Sequence, residues 1–122
     1  MANSKVIDMR PSKNGMANAG ARTVLAPQES LTYKNCEKIH DSFAEFINQN
    51  KTEVILDCKA IPFMDSQALE LLLQMNDELR KRGGILKLAR LNAVCRDILI
   101  ATRLLNTLHV YKDMNEAIRG RR

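Results

Sequence analysis

Tryptophan is absent from the chain, and aromatic residues make up only 4% of it. Tyr33, Phe43, Phe46, Phe63 and Tyr111 are the full set. Proteins that hold single-stranded nucleic acid stack successive bases on aromatic platforms, so a chain this poor in them is ill suited to that task. Long apolar runs are missing as well. No stretch approaches the ~18 residues needed to cross a bilayer. Residues Met1 to Arg10 carry no apolar segment of the kind found in a signal peptide. The expectation is a cytoplasmic protein without membrane insertion.

Paired cysteines are also lacking. Cys36, Cys58 and Cys95 are an odd count of three with no CxxC pair, and the two histidines, His40 and His109, stand alone. These spacings match no zinc pattern. The thiols read as reduced, buried groups packing as small apolar side chains, and no metal or cofactor is expected. Catalytic signatures are equally scarce. There is no GxGxxG, Walker loop, HExxH or GxSxG. Gly83-Gly84 follows a helical pattern, so it cannot cradle phosphate as a strand-to-helix loop would. A serine nucleophile needs a base within reach. The sequence offers Ser66 only carboxylates such as Asp57 and Asp65. The expectation is a protein that is not an enzyme.

What is present fits one domain. The 122 residues are 45% hydrophobic and 27% charged, enough to bury a single core and too apolar for a disordered chain. The net charge of +5 lies at the ends. Lys5, Arg10, Lys13 and Arg22 face only Asp8 in the first stretch, and Arg119, Arg121 and Arg122 close the chain. The body between them, with 12 basic and 13 acidic residues, is close to neutral. A nucleic-acid surface concentrates charge on one face or helix, so no direct nucleic-acid partner is expected.

Residues 1–21 read as a flexible N-terminal segment. Within it, Lys5 to Met9 alternates like a short edge strand. Residues 22–118 carry the domain, and 119–122 form a basic tail. Arg22 to Ala26 reads as a strand stopped by Pro27. Cys36, Ile39, Phe43, Phe46 and Ile47 recur at helical spacing, which predicts an amphipathic helix over about 31–48, with Ser30 as its cap. Glu53 to Cys58 suits a buried strand. From Gln67 to Arg82 the pattern is helical, with Ala68, Leu72, Met75 and Leu79 on one face. Arg80, Lys81 and Arg82 suit its C-terminal dipole, and Gly83-Gly84 stops it. Ile85 to Ala89 is the next strand. Asn92 caps a helix to about Leu104, Leu108 to Tyr111 is a short strand, and Asp113 caps a closing helix to Ile118. Strands alternating with helices give an α/β domain. Two early strands with no helix between them suggest a hairpin, hence a mixed sheet.

One position stands out on local physics. Asp65-Ser66 lies where a loop enters the long helix. In the simplest reading Ser66 caps the helix and Asp65 favours the positive end of its dipole. In the other, Ser66 is a phosphorylation site. The added charge is tolerated by the helix N-terminus and opposed by Asp65, so the surface changes sharply while the fold need not.

The segment Val54-Ile55-Leu56-Asp57-Cys58-Lys59-Ala60-Ile61-Pro62-Phe63-Met64-Asp65-Ser66-Gln67-Ala68-Leu69 resembles the STAS domain (sulfate transporter and anti-sigma factor antagonist). Its pattern is an apolar strand ending in Asp, a loop, then Asp-Ser-x-Gly-Leu opening a helix. The resemblance runs on through Arg82-Gly83-Gly84 and the strand and helix that follow. It implies a mixed four- to five-stranded sheet with helices packed largely on one side. It further implies an anti-sigma factor antagonist. In such proteins a partner serine kinase that doubles as an anti-sigma factor phosphorylates the serine after the motif aspartate, here Ser66, and a serine phosphatase resets it. The unphosphorylated form binds the kinase; the phosphorylated form lets go. The implied docking surface is Thr32, Lys59, Asp65, Ser66, Gln67 and Ala68, with Asp57 ordering the loop. Ala68 stands where the family usually has glycine, and Thr32 where antagonists often carry an acidic residue. These departures suit the alternative, a constitutive scaffold or adaptor of a stress-signalling complex or lipid transporter.

Overall fold

The computed structural model describes residues 22–120. Eight elements alternate along it: β1 (Arg22–Leu25), α1 (Cys36–Asn48), β2 (Glu53–Asp57), α2 (Ser66–Lys81), β3 (Ile85–Ala89), α3 (Ala93–Ala101), β4 (His109–Tyr111) and α4 (Met114–Arg119). The described strands form one sheet in the order β1-β2-β3-β4. Each neighbouring pair is parallel: Val24 lies opposite Ile55, Ile55 opposite Lys87, and Lys87 opposite His109. A helix in every connection between these strands returns the chain to the same end of the sheet, which forces parallel pairing. The expected edge strand at Lys5 to Met9, which would make the sheet mixed, lies outside the described residues. Of the basic tail, Arg119 belongs to the last turn of α4; Arg121 and Arg122 lie outside.

Alternation along the strands divides the core. Leu25, Val54, Leu56, Leu86 and Leu88 face one way, against Ile39, Phe43 and Ile47 of α1, Leu72, Met75 and Leu79 of α2, and Cys95 and Leu99 of α3. Val24, Ile55 and Ala89 face the other way, against Ala117 of α4. Among the described residues, helices therefore lie largely on one side, with only the short α4 behind. The back face also takes a charge inward. Lys87 is 4% exposed, and its Nζ donates to Glu53 Oε2 at 2.9 Å, Ala117 O at 2.7 Å and Gly120 O at 2.8 Å. Arg22 pairs with Glu53 at 3.2 Å and donates to Ile118 O at 3.0 Å. Two cations thus satisfy the last carbonyls of α4, which have no partner inside so short a helix.

The turns follow their chemistry. Gly83 has φ of +76°. Its N–H donates to Arg80 O, and that of Gly84 donates to Leu79 O at 2.7 Å, the paired bonds of a Schellman ending. A Cβ at Gly84 would fall 2.1 Å from Thr52 O, so the second glycine is fixed by close approach. Asn50 and Arg103 take the same left-handed place after α1 and α3. Asn92 and Asp113 cap as expected, accepting from Cys95 N at 2.7 Å and Glu116 N at 2.8 Å.

Two expectations need correction. The first helix begins at Cys36, not near residue 31, and Ser30 does not cap it. Leu31 instead pairs with Met64 in an isolated parallel bridge, which holds the chain extended there. Asn35 then closes a tight turn, accepting from Thr32 N at 2.9 Å and donating to Ser30 O at 2.7 Å. The second concerns α2. Its cap is Asp65, whose Oδ1 accepts from Ala68 N; Ser66 is the first helical residue.

Candidate functional site

The loops beyond the carboxyl ends of β1, β2 and β3 meet at the carboxyl end of the sheet, the usual place for a site in a parallel α/β fold. Two of them are stitched together by backbone. Leu31 N donates to Phe63 O at 3.0 Å, and Asp65 N donates to Leu31 O at 3.0 Å. Asp65 completes the seam with both carboxylate oxygens. Oδ1 accepts from Ala68 N at 3.0 Å, and Oδ2 accepts from Tyr33 N at 2.8 Å. One side chain therefore caps α2 and fixes the β1–α1 loop against it.

Ser66 follows directly. Its side chain is exposed, and the capping duty assigned to it from sequence belongs to Asp65. The hydroxyl is left free of structural work at the positive end of a 16-residue helix, where added negative charge is tolerated. Gln67 is exposed beside it. Ala68, expected on the docking surface, is fully buried; it serves the site from beneath through its N–H. Thr32 is half-buried, and its Oγ1 accepts from Lys34 N at 3.3 Å. Lys59 is exposed on the β2–α2 loop. The surface residues of the sequence-derived set thus sit around the two stitched loops.

Asp57, at the end of β2, is held by a partner that pattern reading did not reveal. Arg90 clamps it with two bonds, Nε to Oδ1 at 3.0 Å and Nη2 to Oδ2 at 2.6 Å. Asp57 Oδ1 also accepts from Lys59 N at 3.2 Å. The fork geometry suits a guanidinium and not an ammonium. The bond to Asp57 holds the Arg90 guanidinium above its ordinary range. Arg90 sits at φ of +62° just after β3, a backbone kink that turns its side chain back to the end of β2. Asn92 adds a third tie, donating to Ile61 O and Pro62 O at 3.3 Å.

Two of the three thiols are packed in as expected, and Cys36 is not. Cys58 and Cys95 are buried. Burial pushes the Cys58 thiol well up, helped by Cys95 and Asp57, and burial raises Cys95 too. Cys36, half-buried, is raised by burial and then by Asp65. All three stay neutral thiols near pH 7, inert by this criterion. Among the described residues no cluster of His, Cys, Asp or Glu is placed to hold a metal. No described helix is long and apolar enough to cross a membrane.

Two residues that pattern reading missed also belong here. Tyr33 is 69% exposed and Phe63 is 46% exposed. Both stand on the stitched loops flanking Asp65 and Ser66. Aromatic residues at loop positions, outside any helical or strand period, were the available signal.

A family model for the STAS domain matches residues 13–117. The chain belongs to the STAS-domain family. The solved structures it resembles agree on the fold. An anti-sigma factor antagonist from Mycobacterium paratuberculosis superposes with a TM-score of 0.77 at 14% identity, over 97% of this chain and 96% of that one. An anti-sigma-factor antagonist (STAS) domain protein from Planctomyces limnophilus gives 0.72 at 20% identity, over 92% and 94%. The Bacillus cell fate determinant SpoIIAA, in its phosphorylated form, gives 0.62 at 18% identity, over 93% and 100%. No curated protein sequence matches the chain. At these identities the likeness to other STAS structures is one of fold, and the chemistry of this domain rests on its own residues.

Proposed function

We propose that this STAS domain is an anti-sigma factor antagonist, a binding module that captures an anti-sigma serine kinase while Ser66 is unphosphorylated and releases it once Ser66 carries phosphate. The observation that carries this reading is the division of labour between Asp65 and Ser66. Asp65 does the capping and stitching, so Ser66 presents an exposed hydroxyl on a rigid platform with no structural bond to lose. Modification then changes the surface and leaves the scaffold standing. The phosphate would sit beside a carboxylate and at a helix N-terminus, tolerated by the fold and hard to bury in a neutral interface. A serine phosphatase would reset the switch. The nucleotide belongs to the kinase; this chain contributes a surface, and we read it as a binding partner and not an enzyme. A cytoplasmic setting fits such a partner.

The test pairs two measurements. Wild-type and Ser66→Asp proteins serve as baits in native lysate, with partners read by mass spectrometry. Each captured kinase is then incubated with the purified domain and ATP, and the modified residue is mapped. Capture by wild type, loss with Ser66→Asp and phosphate on Ser66 are the expected results. The same stable partners on both baits, with no phosphate on Ser66, would overturn the switch in favour of a constitutive scaffold.

A further inference from the structure

We infer that Tyr33 and Phe63 are the affinity anchors of the Ser66 surface, and that they insert into an uncharged apolar cleft on the kinase. This inference rests on the reading of Ser66 as a kinase-binding switch and names what the partner must offer. Single exposed apolar side chains are ordinary on a protein surface. These two are not independent of one another. They are the most exposed aromatics of the described residues, and both flank Asp65 on adjoining loops. Both are also held at the backbone: Tyr33 through its N–H to Asp65 Oδ2, Phe63 through its carbonyl to Leu31 N. Anchors on preset loops lose little further freedom on binding, which is where affinity is gained.

The charges nearby fit an apolar, uncharged occupant. Asp57 is paired with Arg90, and Asp65 gives both oxygens to backbone N–H groups. The other charged residues of the two loops are Glu29, Lys34 and Lys59, all exposed, so the formal charge of the patch is near zero. An unmodified Ser66 leaves a surface that can be desolvated. Phosphate adds about two negative charges, and burying them uncompensated is strongly unfavourable. The switch therefore acts by desolvation at contact more than by repulsion at a distance.

The experiment titrates the domain, by calorimetry, against each anti-sigma serine kinase encoded in the same genome, purified singly. The variants are Tyr33→Ala, Phe63→Ala and Ser66→Asp. Ile100→Ser serves as control, since Ile100 is 51% exposed but stands at the far end of α3. Circular dichroism confirms that each is folded, as expected for exposed positions. Tyr33→Ala and Phe63→Ala should each weaken binding about 10-fold or more, with Ile100→Ser unchanged. The Ser66→Asp loss should persist from about 0.05 to about 0.5 M NaCl, because screening weakens exposed charge interactions and not desolvation. If Ser66→Asp abolishes binding and both aromatic variants bind as wild type, the anchors are wrong and the switch stands. If the aromatic variants fail and Ser66→Asp binds normally, the anchors stand and the switch is wrong. Recovery of Ser66→Asp binding at high salt would overturn the uncharged cleft. Failure of every kinase to bind wild type would overturn both readings.

Discussion

Removing the Asp65 side chain should cost far more stability than removing the Ser66 hydroxyl. Asp65→Ala deletes a cap bond to Ala68 N and a bond to Tyr33 N. Loss of an N-cap costs about 1 kcal/mol. The bond to Tyr33, made by a charged acceptor but near solvent, adds about 0.5–1 kcal/mol. Loss of negative charge at the helix N-terminus adds about 0.3–1 kcal/mol. The sum is about 2–3 kcal/mol. Asp65→Asn keeps an oxygen for the cap and forfeits the charge and one acceptor, for about 1 kcal/mol. Ser66→Ala removes an exposed group outside the cap and should stay within about 0.5 kcal/mol. Urea unfolding at constant m-value resolves the series. With m of about 1–3 kcal/mol/M, Asp65→Ala lowers the midpoint by roughly 0.7–3 M and Ser66→Ala moves it several-fold less. Equal losses for Ser66→Ala and Asp65→Ala would refute the division of labour at this helix end.

Lys87→Met should free α4, because Ala117 O and Gly120 O lose their donor and Glu53 keeps only Arg22; amide exchange over Met114–Arg119 should accelerate well before that of β2 and β3, at a global cost of about 2–4 kcal/mol. Arg90→Lys cannot reproduce the fork on Asp57, so thermal unfolding should show a loss of about 1–2 kcal/mol, with NMR shift changes concentrated in residues 57–65. Gly84→Ala drives a methyl into Thr52 O and should cost about 1–3 kcal/mol in urea, whereas Ala68→Gly should cost about 1–2 kcal/mol through helix propensity and the loss of a buried methyl. The buried thiols set an alkaline limit. Their folded pKa values lie above the unfolded value of about 8.5, with Cys58 raised furthest. Folding therefore retains protons that the unfolded chain releases. Stability is fully present below about pH 8.5 and falls as pH rises above it, by up to about 1.4 kcal/mol per pH unit for each fully raised thiol; Cys58→Ala should flatten that slope in urea titrations at pH 8 to 10.

The elements legible in the sequence are those whose signals are local. The α2 stripe of Ala68, Leu72, Met75 and Leu79 is buried as its period predicts. Gly83-Gly84 closes that helix, and Asn92 and Asp113 sit as caps at the next two. The misreadings share one cause: a long-range partner that no local pattern contains. Ser30 to Asn35 looks like a helix start because Ser30 precedes apolar residues at helical spacing. Leu31 is instead held extended by Met64 and Phe63, and the helix starts only after that strand-like contact ends. Asp57 stands out in the sequence as a strand-end carboxylate, yet its clamp, Arg90, lies on the far side of α2 in sequence and is aimed by a left-handed backbone turn.

The same limit applied to Asp65-Ser66, with a consequence for function. Both residues are good helix caps by type, so sequence alone leaves the role to either. The second bond of Asp65, to Tyr33 N, decides between them, because it requires Asp65 to point back across the β1–α1 loop while still reaching Ala68 N. Once one carboxylate holds both places, the hydroxyl next to it is available. Phosphate on Ser66, as proposed above, would leave the platform standing, since the charge would arrive on the neighbour of the cap and not on the cap itself. Exchanging the two residues, Asp65→Ser with Ser66→Asp, tests that logic directly. The serine at the cap can reach Ala68 N but has no second oxygen for Tyr33 N, so the double variant should unfold about 1 kcal/mol more easily than Ser66→Asp alone. Amide exchange at Tyr33 should rise with it. Unchanged protection at Tyr33 would mean that the loops are held together by Leu31, Phe63 and Met64 alone, and that Asp65 is only a cap.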